Sequence, residues 1–244
     1  MTLEFRPPST ILLTRSGSHA YGMATAKSDE DFRGVMVADP DMLIGLKSWD
    51  TQFERKDPDV VIYALPKFVK LALAANPNIL DVLFCDAQDV LFAICTGSDL
   101  RNIAHDFLSQ RVYKTFTGYA HGALKRLNHP SGRHSAHWGL VEKNGYDTKN
   151  AAHLVRLYRM GYEALKDGVI RVKRPDADEL LAIRNGAWTL DEVEKFAEEM
   201  DTKCKQALQT TSLPPEPSQR VLEWLMDTQR KQILLMTNER RQTY

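Results

Sequence analysis

The hydrophobic pattern of this 244-residue chain changes near Asp99, and this change constrains the fold more than any other feature. Before it, short apolar runs rich in β-branched residues are bounded by glycine and proline, as is typical of buried strands. After it, long segments repeat their apolar residues at helical spacing. We therefore predict an α+β protein, in which a domain of mixed sheet and helices over residues 1–110 is followed by an all-helical domain over residues 111–244.

Three runs in the first part have the composition of strands. They are TILLTRS from Thr10, FRGVMV from Phe32 and DVVIYAL from Asp59. A helix should follow the third run, because Pro66 suits a first helical turn and the pair Asn76-Pro77 would close it. The next two runs, ILDVLFC and DVLFAI, are too short to separate strand from helix.

Five later segments carry an apolar stripe and are predicted helices. They begin at Ser98, where a Ser-Asp pair indicates a helix start, and at Arg111, Asp147, Leu190 and Ser218. Residues 128–146, rich in Gly, Pro, Ser and His, indicate a long mobile loop that covers a site. His134 and His137 in this loop lack a second ligand pair, so a contact with substrate, or no role, is favoured over a zinc site.

The net charge of zero conceals a basic middle segment. Residues 111–174 carry 13 Lys and Arg against 4 Asp and Glu, and five of the seven histidines, while both flanks are acidic. A cationic segment in a neutral protein indicates an anionic partner, such as a nucleotide or a nucleic-acid backbone. The alternative is that these cations pair with the acidic flanks.

Cysteine usage and hydropathy lead us to expect a cytoplasmic protein. Cys85, Cys95 and Cys204 are scattered in a way that fits neither a disulfide framework nor a zinc site, so buried or free thiols are expected. We find no secretory signal pattern, and no run approaches the roughly 20 apolar residues of a membrane-spanning helix.

The stretch SGSHAYGMATAKSDEDFRGVMV, residues 16–37, concentrates the candidate chemistry. Gly17 and Ser18 follow the first predicted strand, where a glycine permits close approach of a ligand and backbone N–H groups with a hydroxyl can hold phosphate oxygens. Asp29 and Asp31 would share one face of a strand, and two such carboxylates repel each other unless a cation lies between them. Magnesium is held in this way, by one or two carboxylates with substrate phosphates and water.

With later segments, this stretch resembles the nucleotidyltransferase superfamily of the DNA polymerase beta type, whose signature is a Gly-Ser turn, an Asp-x-Asp strand and a third carboxylate on a later strand. The resemblance extends to the predicted nucleotidyltransferases of the RNA repair pathway, known from bacteria and phages. It rests on GSHAYGMATAKSDEDFRGV, NPNILDVLF, YDTKNAAHLVRLYRMGYEAL and RPDADELLAIRNGAW, which cover most of the chain in order. One departure is His19, where an arginine is expected, so no phosphate contact is assigned to that position.

The resemblance implies transfer of a nucleoside monophosphate from a nucleoside triphosphate such as ATP to a hydroxyl, with magnesium or manganese as cofactor. Asp29 and Asp31 would bind two metal ions, one activating the attacking hydroxyl and one neutralising the leaving pyrophosphate, and Asp59 would orient or deprotonate the nucleophile. Asp57 is an alternative third carboxylate and Asp81 a weaker candidate, but a strand position such as that of Asp59 is more rigid. The turn residues that would bind the nucleotide are Gly17, Ser18 and Ser28, although Ser28 could instead cap its turn.

Lys149, His153 and Arg156 fall at spacings of four and three, so they form one stripe of a predicted helix. This stripe could face a cleft and bind the triphosphate of a nucleotide or the acceptor. Alternatively, His153 is an ordinary buried histidine.

The acceptor is not determined by these residues. The resemblance implies an RNA end, such as a tRNA end, and the basic segment agrees with it. Nucleotidylation of a protein or a small molecule is the alternative, and a non-catalytic nucleotide- or RNA-binding module is another.

Overall fold

The computed structural model describes residues 6–26, 28–38, 50–128 and 138–241. Its first part contains a five-stranded sheet. The strands are β1 Thr10–Ser16, β2 Asp31–Met36, β3 Gln52–Arg55, β4 Asp59–Ala64 and β5 Val90–Ala93. Their order is β3-β4-β2-β1-β5, with β2 and β4 parallel and the other neighbouring pairs antiparallel. The prediction of a mixed sheet is confirmed.

Helices surround this sheet and form the second part of the chain. Those in the described ranges are α1 Gly17–Ala20, α2 Leu65–Leu73, α3 Pro77–Phe84, α4 Cys95–Asn102, α5 Arg111–Asn128, α6 Trp138–Asn144, α7 Thr148–Asp167, α8 Ala177–Arg184, α9 Leu190–Thr210 and α10 Arg220–Arg241. The prediction of a helical second part is confirmed. The run ILDVLFC lies mainly in α3, and DVLFAI contains β5.

Two local predictions are wrong. Helix α6 lies inside the segment predicted as loop, while residues 129–137, with His134 and His137, lie outside the described residues. Helix α4 begins at Cys95 and not near Ser98, and it packs so closely on β1 that a side chain at Gly97 would meet the backbone of Ile11.

Side-chain caps set the start of the helices that border the candidate site. Asn76 accepts a hydrogen bond from the Asn78 backbone N–H at 3.1 Å, which starts α3. Asp147 accepts one from the Asn150 N–H at 3.0 Å and starts α7. Gly168, at φ +68°, ends α7 in the left-handed conformation.

Buried side chains from both parts of the chain form one continuous hydrophobic cluster. Leu12 of β1 and Phe68 of α2 belong to it, as do Phe116 of α5 and Leu157 of α7. The apolar stripe of the segment predicted as a helix from Asp147 therefore packs inward on α7. The opposite face of the sheet has a smaller cluster, formed by Leu13, Phe32, Val60 and Ile62.

The cysteines are free, with Cys85 and Cys204 buried and Cys95 exposed. No helix in the described ranges combines the length and the apolar character needed to cross a membrane.

Candidate active site

The Gly-Ser turn and one strand carboxylate lie directly against each other. The antiparallel register of β1 and β2 pairs Ser16 with Asp31, which puts the Asp31 carboxylate beside the following residue, Gly17. Gly17 has φ +62°, and a side chain there would collide with that carboxylate. Glycine is therefore required at this position, both for its backbone conformation and for the space that Asp31 occupies.

Asp59, the predicted third carboxylate, lies beside Asp31. Asp31 and Asp59 face each other as the first residues of the parallel strands β2 and β4. Burial raises the pKa of Asp31, and the Asp59 and Asp29 carboxylates raise it further against the opposing effect of Arg33. The competing candidate, Asp57, is exposed and lies before β4 begins.

Arg33 holds Asp59 in place from the same strand as Asp31. Its Nη2 donates to Asp59 Oδ2 at 3.0 Å, and its Nη1 donates to the Phe32 carbonyl at 2.8 Å. Because Asp59 already has a cation partner, its carboxylate is oriented before any ligand arrives.

A cavity of about 270 Å³ opens above these carboxylates. Eight of the nine predicted site residues line it, and the ninth, Asp59, lies beside Asp31. The sheet side of the cavity contributes Gly17, Ser18, Ser28, Asp29 and Asp31. The α7 side contributes Lys149, His153 and Arg156. The structure thus brings together residues that lie more than 100 positions apart in the sequence.

On the sheet side of the cavity, the positions of Asp29 and Ser28 differ in detail from the sequence prediction. Asp29 precedes β2, so the prediction that it shares a strand face with Asp31 is wrong, although both line the cavity. Ser28 Oγ accepts a hydrogen bond from the Thr25 N–H at 2.9 Å, so Ser28 closes its turn while it lines the cavity.

Arg156 is buried, with only 2% of its surface exposed. Its guanidinium carbon lies 3.7 Å from the centre of the Tyr21 ring, and its Nη1 lies 3.5 Å from Asp81 Oδ2. Tyr21 donates its hydroxyl proton to the same oxygen at 2.6 Å. Asp81 is therefore not a ligand-binding carboxylate but the buried partner that holds Arg156 and Tyr21.

His153 is neutral and serves as a hydrogen-bond acceptor for Arg156. Burial lowers the pKa of His153 to about 3, with further contributions from Arg156, Arg126 and Lys149. Arg156 Nη2, a donor, lies 3.3 Å from His153 Nδ1, so the imidazole proton belongs on Nε2. The predicted stripe therefore consists of three different groups. Lys149 is an exposed cation, His153 is a neutral imidazole and Arg156 is a buried cation.

Four lining residues were not predicted from the sequence: the apolar Met23 and Ala152, and two with polar groups, Tyr21 and Arg184. The last two matter most for binding. Both lie in segments that carry the family resemblance, GSHAYG and AIRNG, which was the available signal. Neither segment by itself indicates which of its side chains faces a cavity.

The carboxylates at the cavity have the chemistry of a magnesium site that a nucleotide completes. In the part of the chain that the structure describes, no three His, Cys, Asp or Glu side chains are grouped so that they alone could hold a metal ion. Burial raises the pKa of Asp31, however, and the neighbouring carboxylates of Asp59 and Asp29 raise it further, so negative charge is concentrated here. One or two carboxylates suffice for magnesium when substrate phosphates complete its coordination, so the residues present fit an ion shared with a nucleotide.

The mixed sheet, the Gly-Ser turn against a strand carboxylate and the helical second part define a nucleotidyltransferase-like protein. The family model described as the RNA repair pathway DNA polymerase beta family matches residues 4–227, and the chain belongs to this family. The resemblance seen in the sequence is thereby confirmed.

A crystal structure of a nucleotidyltransferase-like protein from Exiguobacterium sibiricum 255-15 is similar over 83% of this chain and 70% of that chain, at 11% identity and a TM-score of 0.29. No curated protein sequence matches this chain significantly.

Proposed function

We propose that this protein transfers a nucleoside monophosphate from a nucleoside triphosphate to the hydroxyl of an RNA end, such as a tRNA end, and releases pyrophosphate. One observation carries the proposal: the Asp31 carboxylate lies against the Gly17 turn and beside Asp59, at a cavity whose other side carries cations. Carboxylates facing cations complement a metal-bound polyphosphate. Membership of an RNA repair family supports an RNA acceptor.

Magnesium, or manganese in its place, would be held by Asp29, Asp31 and Asp59. When bound, the metal would lower the pKa of the attacking hydroxyl and neutralise charge on the departing pyrophosphate. The raised pKa of Asp31 supports this assignment, because burial and the nearby Asp59 and Asp29 both disfavour its charge, and a bound cation would offset both effects.

The other lining residues have roles that follow from their charge and position. The backbone N–H groups of the Gly17 turn and the Ser18 hydroxyl would hold phosphate oxygens, and Ser28 would join them. Lys149 would supply positive charge, and His153 would donate from Nε2 as a neutral group. Arg156 is set at the cavity by Asp81. Asp59 would orient the attacking hydroxyl or accept its proton.

We also propose the division into a catalytic domain, residues 1–110, and a nucleotide- and substrate-binding helical domain, residues 111–244. The cavity supports it, because its carboxylates come from the first range and its cations from the second. ATP is the donor to test first.

The decisive experiment is incubation of the protein with magnesium, total RNA and each of the four nucleoside triphosphates labelled at the α-phosphate. We expect label in RNA with the wild type, and a loss of at least roughly 100-fold in Asp31→Asn and Asp59→Asn, as for groups that act on the reacting atoms. Asp57→Asn is the matched control, because Asp57 is exposed two residues before Asp59, and it should keep activity.

Each other outcome has a distinct meaning. Label in protein or in a small molecule would replace RNA as the acceptor. Nucleotide binding without transfer to any acceptor would indicate a binding module. Full activity in Asp59→Asn together with loss in Asp57→Asn would reverse the assignment of the third carboxylate.

A further inference from the structure

Arg184, the last residue of α8, lines the cavity, and its guanidinium has no partner among the described residues. The residue is half-buried, and no described residue provides an ion-pair partner or hydrogen-bond acceptor for its side chain. A guanidinium taken partly out of water without a partner is costly. The favourable field at a helix C-terminus offsets only part of such a cost.

Other buried or half-buried arginines in the described ranges have partners. Six of them lie within ion-pair distance of carboxylates: Arg15, Arg33, Arg156, Arg159, Arg171 and Arg174. Arg101 donates to the carbonyls of Leu83 and Cys85, and Arg6 lies over the ring of Phe92. Arg184 is therefore an exception among the buried and half-buried arginines of the described ranges.

The backbone at Arg184 and directly after it is held in place by contacts with the α6–α7 region. The buried Thr148, at the start of α7, donates its hydroxyl proton to the Arg184 carbonyl at 2.7 Å. Gly186 follows at φ +94°, packed so closely on Asn144 that any side chain there would collide with it. Tyr146 donates its hydroxyl proton to the Trp188 carbonyl at 2.7 Å. Arg184 is thus presented from a rigid turn, as a preorganised binding residue should be.

Phosphate is the ligand chemistry that fits such a group. A guanidinium recognises phosphate through two parallel N–H···O bonds, and partial burial strengthens them. Arg184 shares the cavity with Asp29 and Asp31, yet it lies beyond ion-pair distance of both carboxylates. Its guanidinium is therefore not occupied by these carboxylates and can contact a phosphate other than the one that they and their metal would hold.

We infer that Arg184 binds the terminal phosphates of the nucleoside triphosphate and makes the site select triphosphates over monophosphates. This inference rests on the proposed function, since it takes the carboxylates as the place of the reacting phosphate. It adds a specificity-determining residue on α8, outside the α7 stripe.

The test is calorimetric titration of the full chain, in magnesium, with ATP, ADP and AMP. In Arg184→Gln, the Kd for ATP should rise by roughly tenfold or more, while the Kd for AMP should stay within roughly twofold of wild type. Arg184→Lys should recover part of the ATP affinity, because it restores the charge but not the paired N–H groups. Arg230→Gln, an exposed arginine on α10, is the matched control and should bind all three as wild type does.

Two results would overturn the inference: unchanged ATP affinity in Arg184→Gln, or equal weakening for ATP, ADP and AMP. Equal weakening with a lowered Tm would assign Arg184 a structural role. These outcomes can be distinguished from a failure of the proposed function. A wild type that binds ATP but labels no acceptor would refute nucleotide transfer, while the binding measurement would remain valid.

Discussion

At the scale of single residues, His153 illustrates how burial decides the role of a group that the sequence places in a cationic row. Neighbouring cations and loss of water both disfavour its charged form, and its Nδ1 lone pair is directed to Arg156. A protonated His153 would be a second cation against Arg156. The residue therefore contributes a neutral donor to the cavity and not a third positive charge.

This environment predicts a pH dependence of stability. The unfolded chain takes up the His153 proton near the ordinary pKa of 6.5, whereas the folded chain takes it up only near 3. The contribution of His153 is thus fully present above pH 6.5 and decreases as the pH falls towards 3, by at most ~1.4 kcal/mol per pH unit. Urea unfolding across this window should show a shallower pH dependence in His153→Gln than in the wild type.

His105→Gln is the control, because His105 is exposed, and its pH dependence should match that of the wild type. A wild-type pH dependence that persists unchanged in His153→Gln would contradict the buried neutral state.

At the scale of secondary-structure elements, α3 and α7 are joined by a buried polar contact. Asp81 of α3 accepts from Tyr21, and Arg156 of α7 lies against both. Burial raises the pKa of Asp81, which Arg156 opposes, and Asp81 Oδ1 has no partner among the described residues. Since one wall of the cavity belongs to α7, this contact sets the position of that wall relative to the sheet.

Tyr21→Phe should therefore lower the free energy of unfolding considerably, although it removes only one oxygen atom. It keeps the ring beneath Arg156 but leaves a buried carboxylate oxygen without its 2.6 Å donor, which should cost ~1.5–3 kcal/mol in the free energy of unfolding. Tyr162→Phe, which alters a partly buried tyrosine without such a bond, should cost less than ~0.5 kcal/mol. Equal losses in urea unfolding of the two variants would show that the Tyr21 hydroxyl contributes nothing specific.

At the scale of the whole molecule, the charge of the basic segment is only partly compensated in the fold. Five of its arginines pair with carboxylates, several of them from the acidic flanks: Arg111, Arg156, Arg159, Arg171 and Arg174. Lys125 and Arg126, at the end of α5, are exposed and have no such partner among the described residues. Arg126 is near enough to His153 to lower its pKa, after burial and Arg156, which places Arg126 close to the cavity.

These two cations predict a salt-dependent contribution to RNA binding. Lys125→Gln with Arg126→Gln should weaken RNA binding and reduce the slope of log Kd against log salt by ~0.7 for each phosphate of a single strand that the protein no longer neutralises. Lys203→Gln with Lys205→Gln, an exposed pair on α9, should leave the slope unchanged. Equal slopes for the two double variants in filter binding would exclude this end of α5 as part of the RNA-binding surface.

Much of the fold was predictable because its signals are local. Runs of β-branched residues identified β1, β2 and β4, and helical spacing identified α7 with its buried face. The short strand β3 lacks such a run, and α6 lies in a segment of loop-like composition, so neither was predicted. The order of the family-like segments identified the family, and the predicted site residues do meet at one cavity, Asp59 lying beside it.

The sequence by itself determined the mixed sheet, the helical second part, the Gly-Ser turn and the types of group at the candidate site, since periodicity and turn chemistry act over a few residues. The tertiary structure decided which charge meets which. Asp59 lies beside Asp31 through strand register, Arg156 meets Asp81 from 75 positions away, and Arg184 meets no carboxylate among the described residues. Such pairings depend on register and on the packing of distant elements, which no local pattern encodes.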